Sequence, residues 1–300
     1  MTRTRLVAPF VAPLVFAVSA CASTSPAAAT AAAAPAPVPA ATPAPAATPA
    51  APAQPAAAPA PAARSPQAIL TDAVKATGGE AAWNAHKTAR YRVETVFQGM
   101  GLSGSGERFV TRTGKTYTTI EMAGLGTVRE GTNGNVAWSQ EPLHGLRILE
   151  GVEAEQSRIG AAWNADIQAA DLFTKLEAAN EPGPDGTTLE CVTATPRVGA
   201  AIRSCYDART HLQVSQSGVR VGPEGSIPFR ATVSDWRVVG GVKMPFESNT
   251  QLGPITLVDR IKSVTFDETI DDKLFDPPAL ANAPKAGKPP KPAPKPAKSK

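Results

Sequence analysis

Three groups of residues have types and spacings that chemistry could use. Gly99, Gly101 and Gly104, in the stretch FQGMGLSGSGE, spell the G-x-G-x-x-G of a dinucleotide-binding loop. Such a loop works only between a strand and a helix whose N-terminus receives a pyrophosphate. A strand pattern does precede the glycines. After them, ERFVTRTGKTY alternates at period two and is rich in Thr, so no helix begins there. The glycines read either as a loose hairpin or bulged sheet edge, or, with Met100 and Leu102 among them, as the mouth of an apolar cavity.

The titratable residues are scattered. His86, His144 and His211 fall in no H-x-x-x-H or H-E-x-x-H pattern, and no C-x-x-C is present, so no metal and no cofactor are expected. There is no G-x-S-x-G elbow. Glu153 and Glu155, two apart on an expected helix, diverge by about 200°, and Asp271 and Asp272 are adjacent. Neither pair is spaced as a working acid and base. No catalytic residue is assigned, and the chain reads as a non-enzyme. Cys191 and Cys205 would face each other across a hairpin whose turn centres on Val198, within disulfide reach. That spacing suits a structural bond rather than a redox pair.

The elements that would position these residues occupy only part of the chain. Residues 1–20 combine Arg3 and Arg5 with an apolar run from Leu6 to Val18, the pattern of a secretory signal peptide. Its end, Val18-Ser19-Ala20-Cys21, resembles the lipobox of bacterial lipoproteins. The resemblance implies cleavage before Cys21 and lipid on that residue, and Ala22 implies sorting to the outer membrane. Several acyl chains would hold the chain stably on a membrane. After Cys21 an Ala/Pro tether runs through residue 64, too poor in apolar bulk to build a core. It would reach roughly 35 Å as a coil and about 130 Å as polyproline II. Residues 281–300 form a Lys/Pro tail that reads as a solubilising segment or as a contact for anionic cell-wall polymer.

The net charge of +4 includes six tail lysines and two leader arginines; without these eight charges the remainder is −4. A mildly acidic domain gives no electrostatic ground for nucleic acid as a partner.

Residues 65–280 are long enough for one domain. Ser65 as N-cap, Pro66 at the first position and Gly78 at the end delimit a helix, and EAAWNA adds a short helical turn. From Tyr91 onward the period is two, with turn signals at Thr113-Gly114, Asn133-Gly134, Pro184-Asp185-Gly186, Pro223-Glu224-Gly225 and Gly240-Gly241. The expected fold is α+β, mainly β: an antiparallel sheet of 10–11 strands, opened by a helix and interrupted from Leu143 to about Leu176. Within the interruption, GVEAEQSRIGAAWNA places Val152, Ile159 and Trp163 on one face of a crossing helix. That helix is either packed core or a lid over a cavity.

The order of ATGGEAAWNAHKTARY, NVAWSQEPLHGLRILEG, SCYDARTHLQ and IDDKLFDPP resembles the LolA/LolB-like lipoprotein-sorting proteins over about Ala68 to Pro278. The resemblance implies a strongly curved half-open barrel whose concave side holds acyl chains of a lipid or an acylated protein. Leu125, Val136, Trp138, Leu146, Ile148 and Trp163, with Met100 and Leu102 at the mouth, are the candidate lining. Two functions follow: a lipid-anchored binding protein of the cell envelope with acyl-chain or lipoprotein cargo, or a structural module displayed on the tether.

Overall fold

The computed structural model describes residues 8–9 and 63–278. The expectations for Cys21, the tether and the Lys/Pro tail lie outside the described residues. Helix α1 (Pro66–Ala76) starts as its sequence dictates: Ser65 Oγ accepts from the Ala68 amide at 3.2 Å and Pro66 occupies the first turn. Gly78, at φ 112°, follows the helix end where a side chain would collide with the Gly241 carbonyl. The short α2 (Gly79–Asn84) follows and buries Trp83.

Thirteen strands then form one antiparallel sheet. The first six are β1 (Thr88–Gln98), β2 (Leu102–Thr111), β3 (Thr116–Met122), β4 (Gly126–Thr132), β5 (Ala137–Glu141) and β6 (Gly145–Leu149). After α3 (Gly151–Gly160) and α4 (Ala169–Leu172) come β7 (Phe173–Pro182), β8 (Thr188–Pro196), β9 (Ile202–Asp207) and β10 (Gln213–Gly222). The last three are β11 (Gly225–Val239), β12 (Val242–Leu252) and β13 (Ile255–Phe266). Every neighbour is also a neighbour in sequence except β1 and β13, which pair with Thr95 opposite Asp259. The two edges are β6 and β7, consecutive in the chain, so the curved sheet stays open between them. The 150–172 segment carries the chain across that opening.

The count of thirteen exceeds the expected ten or eleven by the two edge strands, both of which begin inside the expected interruption. β6, GLRIL, is too short to display a period. β7, FTKLEAANEP, is rich in helix-forming residues and is extended because β8 pairs along it, with Ala178 opposite Val192. The crossing helix also ends earlier than expected. α3 stops at Gly160, and Trp163 lies beyond it in a two-residue bridge, Trp163–Asn164, paired with Ala8–Pro9.

Alternation along the strands separates two faces. On the inner face Val93, Phe97, Val110, Ile120, Met122, Met244 and Leu257 join Trp83 and Trp163 in the main core. The Trp163 indole donates to the Trp83 carbonyl at 3.2 Å. α1 fills the inner side over β7–β9, setting Ile69, Leu70 and Ala73 against Val192 and Tyr206. On the outer face Phe109, Tyr117 and Trp138 form a tilted aromatic row, with ring centres 6.3 and 6.0 Å apart. The C-terminal turn Asp272–Phe275 covers it: Phe275 is fully buried and its carbonyl accepts from the Trp138 indole at 3.0 Å.

The G-x-G-x-x-G stretch is a hairpin. Gly99 and Gly101, at φ 75° and 66°, make the β1–β2 turn, where L-residues are strained. Gly104 and Gly106 lie inside β2 for a different reason: a side chain would run into Met122 and Ile120 at Gly104, and into the Thr119 carbonyl at Gly106. Their bare backbone lets β2 and β3 coil closely. Cys191 and Cys205 are directly opposite in β8 and β9 and are joined by a disulfide.

Candidate ligand-binding site

A cavity of about 170 Å³ lies between α3 and the inner face. Val128, Leu149, Val221, Ile227, Leu252 and Ile255 give it apolar walls, and Arg108, Glu130, Arg147, Glu153, Gln156 and Arg220 give it polar ones. The walls come from both halves of the sheet, β2–β6 on one side and β10–β13 on the other. α3 spans the gap between them.

Polar bonds fasten α3 at several points. Gln156 Nε2 donates to the Val219 carbonyl at 2.7 Å and its Oε1 accepts from the Val221 amide at 3.1 Å, which pins the helix to β10. Arg147 of β6 reaches Glu153 at 2.7 Å, and Arg108 of β2 donates to the Gly160 carbonyl at 2.8 Å. Glu155 accepts from Arg158 at 2.7 Å and from the Arg197 amide at 3.2 Å. Hydrogen bonding to Arg158 is the chief reason the Glu155 carboxyl sits below its ordinary pKa. Burial lowers the Arg108 guanidinium, with Glu130 acting in the opposite direction. The helix is thus a strap bonded to both halves.

At the mouth, His144 links two hairpins. Its Nδ1 is 3.3 Å from Glu141 and its Nε2 is 3.2 Å from Glu224, which joins the β5–β6 turn to the β10–β11 turn. Deeper on the inner face, Asp259 accepts from Thr95 Oγ1 at 2.6 Å while its Oδ2 has no hydrogen-bond partner. Burial pushes this carboxyl up to about 7, against the lowering effect of the Thr95 bond.

The expected lining residues do not converge on the cavity. Only Trp138 borders it, and its indole turns to the outer face. Met100 and Leu125 are exposed in hairpin turns, and Leu146 and Ile148 are exposed on the edge strand β6. Leu102 packs against the main core, Val136 is half-buried in the β4–β5 turn, and Trp163 is core. A one-residue phase explains β6: Arg147 and Leu149 face inward, so Leu146 and Ile148 face out. Arg108, Arg147, Gln156 and Arg220 belong to the walls although none of them is among the expected large apolar groups. Alternation in ERFV, which puts Arg108 on the same face as Val110, was the available signal, whereas GLRIL is too short to supply one.

The histidines stay apart. His86 lies 2.7 Å from Asp267 and 2.8 Å from the Gly240 carbonyl, and stacks on Phe266. His211 is 3.9 Å from Glu190. Among the described residues one trio, Glu181, Cys191 and Cys205, is close enough to share an ion, and the disulfide occupies both sulfurs.

No family model and no curated protein matches this sequence. Solved structures do. A DUF1329 family protein from Desulfovibrio piger is similar at 13% identity and TM-score 0.51, over 71% of this chain and 98% of that one. A putative outer membrane lipoprotein-sorting protein domain from Vibrio parahaemolyticus is similar at 7% identity and TM-score 0.48, over 72% and 98%. A LolA superfamily protein from Nitrosomonas europaea gives 13% and 0.46, over 71% and 98%. At such identities the likeness concerns the fold alone. The half-open barrel that the sequence motifs imply is the fold the chain has.

Proposed function

We propose that this chain is a non-catalytic, lipid-anchored binding protein of the cell envelope that holds an acyl chain, of a lipid or an acylated protein, under α3. The observation that carries the reading is the partly apolar cavity between a sheet open at β6 and β7 and a helix strapped across the opening. Ligand cavities usually hold about 300–1,000 Å³. At about 170 Å³ this one admits a short apolar segment as it stands, and a longer chain requires α3 to lift. Its bonds are suited to that: they are polar contacts at separate points that water can replace, rather than an extensive apolar interface. The lipobox-like Val18-Ser19-Ala20-Cys21 supports attachment to a membrane, and Ala22 the outer one.

Native mass spectrometry of the chain extracted from membranes tests this. Bound lipid or acylated peptide at one per chain is expected, and an always empty chain that takes up no fluorescent fatty-acyl probe overturns it.

A second reading keeps the fold as a structural module with a filled interior. The packing of Trp83 and Trp163 into the inner face favours it. In that case the Lys/Pro tail carries the contact, to cell-wall polymer or a protein. Deletion of residues 283–300 then abolishes wall or partner binding, whereas the carrier loses nothing.

A further inference from the structure

The meander places the six turns after β1, β3, β5, β8, β10 and β12 at one end of the half-barrel. They are residues 99–101, 123–125, 142–144, 197–201, 223–224 and 253–254, and apart from His144 they hold two charged residues, Arg197 and Glu224, and no lysine. Four of them expose a large apolar side chain at the tip: Met100 (38%), Leu125 (40%), Leu143 (68%) and Val198 (47%). Leu146 and Ile148 extend the apolar surface along β6 from the same end. At the opposite end Val238 is the one large apolar side chain so exposed among the described residues.

The ends of the domain lie at that opposite end. Arg64 pairs with Glu190, beside the β7–β8 and β9–β10 turns. Lys115 and Asn133, in the β2–β3 and β4–β5 turns, bind Asp272 and Asp276. The apolar tips therefore face away from both points where the tether and the tail join the domain. The cavity opens among them, since Glu141, Pro223, Glu224, Gly225 and Pro254 line its mouth.

We infer that the apolar-tipped end of the half-barrel docks onto a zwitterionic lipid surface, with the cavity mouth turned toward the lipid. A protein partner needs a contiguous complementary patch. Here single apolar side chains stand on separate hairpins, divided by polar backbone, which a bilayer interface accepts one by one. Anionic lipid would be read by clustered lysines and arginines, and the six turns offer Arg197 alone, while Glu141 and Glu224 are drawn to His144. Docking of this surface does not depend on what the cavity holds, and vesicle binding reports it without any cargo.

The test uses the full chain in a lipid-free Cys21→Ser form, carrying Leu143→Trp or, at the other end, Val238→Trp, with vesicles of phosphatidylcholine. Tip insertion shifts the emission of Leu143→Trp to the blue and lets brominated acyl chains quench it at least twofold more than Val238→Trp. Equal responses of the two variants overturn the proposal, including the case in which the leader alone holds the chain to the vesicle. The triple variant Met100→Glu, Leu125→Glu, Leu143→Glu is expected to lower vesicle partitioning about tenfold or more relative to the parent. Undiminished partitioning overturns it as well.

Discussion

Replacing Asp259 by Asn should change how stability depends on pH. The carboxyl is 8% exposed, bonded through one oxygen to Thr95 and unpartnered at the other. Its folded pKa, about 7, lies above its ordinary value of 3.8, because burial penalises the charge. A raised carboxylate pKa means that the folded state binds the proton more tightly than the unfolded chain does. The penalty is absent below pH 4, grows as pH rises from about 4 to about 7, and is complete above. With about 1.4 kcal/mol per pH unit over roughly three units, ionised Asp259 costs about 4 kcal/mol at pH 8. Asn cannot ionise, so the Asp259→Asn chain should gain a few kcal/mol on the parent at pH 8 and little at pH 4. Urea unfolding of both proteins at the two pH values, with the disulfide intact, measures the difference. Asp166, pushed up to about 6 by burial, titrates in both chains and cancels. A gap between parent and variant that is the same at pH 4 and pH 8 would refute the reasoning.

Three further outcomes are expected. Reducing Cys191–Cys205, or replacing both by Ala, should cost about 3 kcal/mol in chemical denaturation, the value for a loop of the 14-residue separation seen here. Gly106→Ala should destabilise by about 1–3 kcal/mol, since a methyl group there meets backbone rather than a movable side chain; a thermal midpoint equal to the parent's would contradict it. Trp138→Ala should cost about 3–5 kcal/mol and free the Asp272–Phe275 turn, read as faster amide exchange near Phe275.

Much of the scaffold was legible because its signals are local. Ser65-Pro66 and Gly78 delimit α1, the turn residues mark the hairpins, and the 191–205 spacing places two cysteines opposite each other. The glycine stretch could be separated from a nucleotide loop by the alternation of ERFVTRT alone. The elements that were missed are set by tertiary pairing. β7 has helix-forming content and becomes a strand only along β8, and Trp163 leaves the α3 stripe to pack on Trp83. The site was the least legible part. Its walls combine β2–β6 with β10–β13, segments about a hundred residues apart, and whether Leu146 or Arg147 faces inward depends on a phase that five residues do not establish. The polar fastening of α3 by Gln156, Arg147 and Arg108 has no pattern in a single sequence.

Photocrosslinking shows whether an acyl chain lies beneath α3. A palmitate carrying a diazirine near its chain end is irradiated with the full chain, and the labelled residues are mapped by mass spectrometry. Saturable labelling, competed by unlabelled palmitate, is expected within the cavity walls at Val128, Ile227, Leu252 and Ile255. Labelling that does not saturate, or that is confined to the hairpin tips at Met100, Leu125 and Leu143, would contradict it.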